Sequence, residues 1–122
     1  MNILFIEDSL TFAKMTVNQL TKLGHTVKHV ANGKDAEEQF GVSGYDVVLM
    51  DFMLPDTDAI QLLKLIKTIE FSVPVIVISA KDNDYDIDKA LLHGAVRFLV
   101  KPVSNDLMEE ALSELSSNSA LG

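Results

Sequence analysis

Five side chains able to handle charge stand directly after short apolar runs. Glu7 and Asp8 follow Ile3 to Ile6, Asp51 follows Val47 to Met50, Ser79 follows Val75 to Ile78, and Lys101 follows Phe98 to Val100. Three carboxylates brought together repel one another unless a cation lies between them, and oxygen donors without His or Cys select Mg²⁺ or Mn²⁺ over zinc. Such an ion, held by one or two carboxylates, keeps positions for water or phosphate oxygens, as is common in phosphoryl transfer. Lys101 offers a compact mobile positive charge for a phosphoryl oxygen and Ser79 a neutral hydroxyl donor. Asp51 is left as the nucleophile, forming an acyl phosphate while metal and lysine screen the approaching negative charges. Taken singly, each residue has a plainer use: Asp8 could cap the following helix, Ser79 could belong to a turn, and Lys101 could be a surface ammonium. The recurrence at four strand ends is what argues for a site.

These residues meet only if the apolar runs are strands of one sheet. The runs at Ile3 to Ile6, Val47 to Met50 and Val75 to Ile78 are continuous rather than alternating, as expected for parallel strands covered on both faces. Val27 to Val30 carries Lys28 and His29, which suits an edge, and Phe98 to Val100 makes the fifth strand. Between and after them the spacing predicts helices over Ser9 to Leu23, Lys34 to Phe40, Asp58 to Thr68, Asp84 to His93 and Asn105 to Leu115. Gly24 and Gly94 follow the first and fourth of these, where a residue free to become left-handed ends a helix at low cost. Five βα units with right-handed crossovers are too few for an eight-stranded barrel and give an open doubly wound α/β sheet. Its functional crevice lies beyond the carboxyl ends of the strands, where strand order reverses.

Composition narrows the field. At 122 residues, with nearly half of them apolar, the chain suits one folded domain. A net charge of -8 opposes contact with nucleic acid or an anionic membrane. Cysteine is absent, which removes disulfides, thiolate metal sites and thiol nucleophiles. The first apolar run is too short for a secretory signal and no run is long enough to span a membrane, so a cytoplasmic location is expected. His25, His29 and His93 fall in a loop, on the edge strand and at a helix end, without a coordinating pattern. They read as surface or packing residues.

The motifs, in order, resemble those of response regulator receiver domains in two-component signalling. Ile3-Leu4-Phe5-Ile6-Glu7-Asp8-Ser9 is similar to the family's opening strand and acidic pair. Val47 to Pro55 is similar to its phosphoacceptor strand and loop, Val75 to Ala80 to its Ser/Thr strand, and Gly94-Ala95 with Phe98 to Pro102 to its closing Lys-Pro strand. The likeness runs from Met1 to about Leu115. It implies a flavodoxin-like (βα)5 fold, an open parallel five-stranded sheet in the order 2-1-3-4-5 with helices on both faces, over residues 1–116. Residues 117–122 are expected to be a flexible tail or the start of a linker.

Carried over residue by residue, the resemblance implies phosphorylation of Asp51, with Asp8 and Asp51 as Mg²⁺ ligands. Glu7 would act through a metal-bound water and Met53 through its backbone carbonyl. Lys101 and Ser79 would contact the phosphoryl oxygens, and the Lys101–Pro102 bond would be cis, the small X-Pro penalty permitting it. A switch follows: phosphoryl oxygens draw the Ser79 hydroxyl inward and Phe98 enters the vacated space. Phe98 lacks the hydroxyl of the Tyr often found in the family, so any preference for burial would rest on apolar contact alone; the plainer alternative is that it is core. The implied partners are a sensor histidine kinase or histidine phosphotransfer protein upstream and a protein or covalently linked effector downstream. The only catalysis expected is the chain's own aspartyl phosphorylation and dephosphorylation.

Some positions depart from the family pattern. Ala59 replaces a customary Gly at the entry to the third helix, so that turn must form without a positive φ there. Arg97, the only arginine, stands where many transcriptional members carry acid, which argues against assuming their dimer through the last two helices. Met53 and Lys81 provide no carboxylate or amide to orient an attacking water, so slow self-dephosphorylation is expected. Three rivals share parts of the pattern. A flavodoxin-like cofactor binder needs a hydroxyl- and Gly-rich phosphate loop where Glu7-Asp8 stands. An aspartyl-type phosphatase needs a second Asp two residues past the nucleophile, where this chain has Met53. A degenerate receiver serving only as a phosphorylation-independent interaction module fits poorly with a full acidic set.

Overall fold

The computed structural model describes residues 1–40 and 44–121, with side chains through residue 116. The chain alternates β1 (Asn2–Ile6), α1 (Leu10–Lys22), β2 (Thr26–Val30), α2 (Gly33–Phe40), β3 (Val47–Asp51), α3 (Ala59–Ile69), β4 (Val75–Ser79), α4 (Asp84–Leu92), β5 (Arg97–Val100) and α5 (Asn105–Leu121). All strands are parallel and lie in the order β2-β1-β3-β4-β5, the expected doubly wound sheet. Strand order reverses between β1 and β3.

The side-chain alternation of the strands builds two cores. Leu4, Ile6, Val48, Met50, Val75 and Val77 point to one face, where Leu62, Leu63 and Ile66 of α3 cover them together with Ala36 of α2 and Ala90 of α4. Ile3, Phe5, Val47, Leu49, Ile76 and Ile78 point to the other, beneath Ala13 and Leu20 of α1 and Met108, Ala111 and Leu112 of α5. Both faces of β3 and β4 are therefore buried, which is why those segments read as unbroken apolar runs. Edge strand β2 alternates and buries fully only Val30.

The chain punctuates these elements as its residues dictate. Gly24 and Gly94 have φ of 94° and 111°, ending α1 and α4 in the left-handed region. Ala59 opens α3 without a positive φ, for among the described residues only glycines adopt one; the helix is capped instead by Asp58. Its Oδ1 accepts from the N–H groups of Ile60 at 2.8 Å and Gln61 at 3.2 Å. Removing that acceptor in Asp58→Ala should destabilise the fold by about 1 kcal/mol, read as a lower urea midpoint; an unchanged midpoint would show that the cap contributes nothing.

One expectation is corrected. The backbone of α5 continues to Leu121, past the end predicted at Leu115. No Gly or Pro interrupts the chain before Gly122, and Ser, Asn and Ala carry small helix penalties that a helix already nucleated and packed can carry forward. Gly122, the last residue of the expected tail, lies outside the described residues. Among the described residues no helix is long and apolar enough to cross a membrane.

Candidate functional site

Register brings the chemistry to one edge. Ile6 pairs with Met50, Asp51 with Ile78, and Ser79 with Val100, so Glu7, Asp51, Ser79 and Lys101 leave the sheet side by side at its carboxyl end. The ladders extend one residue further: the Glu7 N–H donates to the Val30 carbonyl at 2.9 Å, Phe52 N–H to Ile78 at 2.8 Å and Lys101 N–H to Ser79 at 2.8 Å. The site thus rests on sheet rather than on loop, in the crevice where strand order reverses.

Carboxylate oxygens of Glu7, Asp8 and Asp51 lie within 4.8 Å of one another. Asp8 is exposed, while Glu7 and Asp51 are 0% and 4% exposed. Asp8 does not cap α1. That task falls to Ser9, whose hydroxyl accepts from the Phe12 N–H, while the Ser9 N–H donates to Glu7 Oε2 at 3.1 Å. Lys101 Nζ reaches across the cluster, 2.6 Å from Glu7 Oε1 and 3.2 Å from Asp51 Oδ2. Asp51 Oδ1 accepts from the Met53 N–H at 3.0 Å, which turns the chain after β3 back over its own carboxylate.

Three carboxylates facing one ammonium leave the site electrostatically unbalanced. Burial, reinforced by the hydrogen bond to Asp51, pushes the Glu7 carboxyl up to about 7 against the opposing contact with Lys101. Among the described residues Glu7 Oε1 is buried without an aligned hydrogen bond and is met by the charge of Lys101 at 2.6 Å. Burial of Lys101 works to lower its pKa, but the Glu7 bond and the charges of Asp51 and Glu7 outweigh it and hold the ammonium above its ordinary range. A buried, under-satisfied oxygen beside two further carboxylates, with no soft donor among them, fits a hard divalent cation.

Ser79 is 1% exposed, and its Oγ accepts from the Lys81 N–H at 3.1 Å, leaving the hydroxyl proton to donate elsewhere. Phe98 is half-buried, with its ring 6.1 Å from that of Phe52, the residue after Asp51. The Lys101–Pro102 bond is cis.

Glu7, Asp8, Asp51, Ser79 and Lys101 therefore fall at one edge, with Met53 and Pro102 in the chain just beyond it, while Phe98 pairs with Val77 within β5. Two contributors were not legible. Asp56, in the loop after β3, accepts from the N–H groups of Gly33 at 2.8 Å and Lys34 at 3.1 Å, capping α2 from a distance. The Gly33 bond leads in holding its carboxyl below the usual range. His29, read as a surface or packing residue, bonds through Nε2 to the Glu7 carbonyl at 2.7 Å and packs 5.8 Å from the Phe5 ring. Its place beside β1 on an edge strand was the only available signal. Arg97 pairs with Glu114 at 3.0 Å and Glu110 at 3.5 Å, both on α5.

Comparison with known proteins agrees with this arrangement. The sequence model of the response regulator receiver domain matches residues 3–113. The chain is 36% identical over 101 residues to the uncharacterized transcriptional regulatory protein YcbL of Bacillus subtilis (strain 168), covering 83% of this chain and 44% of that protein. It is 31% identical over 122 residues to the transcriptional regulatory protein HprR of Escherichia coli (strain K12), covering 99% of this chain and 54% of that protein. The chain thus spans about half the length of these curated relatives. Among solved structures, the receiver domain of the Francisella response regulator 1452 superposes with a TM-score of 0.88 at 27% identity, covering 97% of this chain and 98% of that one. A two-component response regulator from Clostridium difficile superposes with a TM-score of 0.91 over 96% of both chains; at 20% identity it supports the fold alone. With the family's motifs, strand order and acidic edge all present, the chain belongs to the response regulator receiver domain family.

Proposed function

We propose that this domain is a phosphoacceptor switch in which Asp51 takes a phosphoryl group from a phosphohistidine donor in a Mg²⁺-dependent reaction. The observation that carries the reading is the placement of Asp51, buried at the sheet edge with two further carboxylates and the Lys101 ammonium gathered around it. Mg²⁺, or Mn²⁺ in its place, would be held by Asp8, Asp51 and the Met53 carbonyl, with Glu7 acting through water. It would supply the positive charge that lets an anionic phosphoryl group approach carboxylates.

The chain's own groups do the rest. An Asp51 carboxylate oxygen bonds to phosphorus as the phosphorus–nitrogen bond of the donor breaks, and the histidine leaves as neutral imidazole once protonated. Lys101 Nζ turns from the carboxylates to a phosphoryl oxygen, and the Ser79 hydroxyl donates to another. The inward movement of Ser79 makes room toward β5, into which Phe98 shifts from its seat against Phe52. That population change is the output. Outside its own phosphorylation and dephosphorylation the domain is not an enzyme. Its partners are a histidine kinase or phosphotransfer protein and a downstream effector, in the cytoplasm. Nucleic acid is not bound directly by a domain of this charge. A phosphorylation-independent interaction module would have no use for the buried acidic set.

The test is intact mass after incubation with acetyl phosphate. A gain of one phosphoryl group is expected with Mg²⁺ and none with chelator. Because Met53 and Lys81 offer no water-orienting side chain, the adduct should persist far longer than seconds after the donor is removed. No gain with Mg²⁺ present would sink the proposal.

A further inference from the structure

Phe12, in the first turn of α1, has no part in the steps above. Its ring centroid lies 4.3 Å from Lys101 Nζ, and the ring stands edge-on to Phe5, with centroids 6.4 Å apart and planes at 62°. Phe5 is fully buried in β1, so the Phe12 ring is braced from behind by the sheet. The Lys101 side chain is only 17% exposed, and partial desolvation of this kind strengthens the attraction between an ammonium and an aromatic face. The same helix grips the chain beyond Lys101 a second time. Gln19 Nε2 donates to the Val103 carbonyl at 3.0 Å and to Asn105 Oδ1 at 2.8 Å.

Around Nζ stand two kinds of anchor. Glu7 and Asp51 hold it by charge, and both belong to the acidic set that a divalent cation would engage. The ring holds it by its quadrupole, is neutral, and is no ligand for a hard metal. We infer that Phe12 is a positioning residue for Lys101: its ring keeps the ammonium at the mouth of the site when the carboxylates are otherwise occupied, ready for a phosphoryl oxygen. This rests on the phosphoacceptor reading. A cation at the acidic cluster would repel the ammonium, and without the ring a long flexible stem would carry the charge into solvent.

Two substitutions separate a hold on the ammonium from plain packing. Phe12→Leu keeps an apolar side chain without the aromatic face, and Phe12→Tyr keeps the face. In metal-free protein, NMR should show the Lys101 methylene protons beside Nζ shifted upfield by the ring in wild type and in Phe12→Tyr, and unshifted in Phe12→Leu. The rate of mass gain from acetyl phosphate at saturating Mg²⁺ should fall about five- to tenfold in Phe12→Leu and return in Phe12→Tyr. An unshifted Lys101 in wild type overturns the inference whether or not the variants fold. So does a Phe12→Leu rate equal to wild type, or an equal loss in both variants. Wild type that gains no mass at all overturns the phosphoacceptor reading itself, a result distinct from these.

Discussion

Asp51→Asn should gain no phosphoryl mass from acetyl phosphate under conditions that label wild type, a complete loss rather than a slowed reaction. Asparagine keeps the shape of the side chain and can still accept the Met53 N–H, so the loop after β3 stays in place. What disappears is the negative charge that attacks phosphorus, and an amide oxygen is too weak a nucleophile to replace it. The fold should not suffer. Glu7, Asp8 and Asp51 lie within 4.8 Å of one another, and neutralising one of them relieves like-charge repulsion. In chelator, the thermal midpoint of Asp51→Asn should therefore equal or exceed that of wild type. Equal labelling of the two proteins would remove Asp51 from its role, and a variant that is unlabelled but also largely unfolded would leave the charge argument without support.

The second large effect is on stability against pH. Glu7 has its carboxyl raised from 4.5 to about 7, first by burial and then by its bond to Asp51. A group whose folded pKa exceeds its unfolded one contributes stability that is fully present below the unfolded value and is lost as pH rises through the folded value. Metal-free protein should accordingly lose on the order of 3 kcal/mol between pH 4.5 and 7 from this group, a fall of roughly 10 °C in thermal midpoint. The groups facing Glu7 are Asp51 from β3, Asp8 beside it and Lys101 beyond β5, while His29 of β2 touches only its carbonyl. Glu7→Gln removes the titrating proton and should flatten the slope. Saturating Mg²⁺ should flatten it in wild type, since a cation at the cluster favours the ionised carboxyl. If Glu7→Gln and wild type fall in parallel, another group is responsible.

The parts of this molecule that could be read from its residues are those that depend on burial pattern. Strands β1, β3 and β4 announce themselves as unbroken apolar runs because helices cover both of their faces, and β2 betrays its edge position through Lys28 and His29. The acidic edge was legible because parallel strands in register must place Glu7, Asp51, Ser79 and Lys101 together. What was missed depends on side chains reaching between elements. Asp56 caps α2 from the far loop, and Phe12 meets Lys101 only because the first turn of α1 and the residue following β5 converge on the same site; nothing local to either residue marks the contact. The length of α5 was misjudged because its last residues lack apolar periodicity, whereas helix continuation needs only the absence of a breaker.

The mooring of α2 gives the chain after Asp51 a second listener. The amides of Gly33 and Lys34 hang on the Asp56 carboxylate, and a β-carbon at Gly33 would stand 2.6 Å from the Thr57 methyl, so no slack separates the two segments. Whatever displaces that chain must tug the onset of α2 or cut it loose, which makes the solvent exchange of those two amides a gauge, on the opposite flank from β5, of events at the nucleophile.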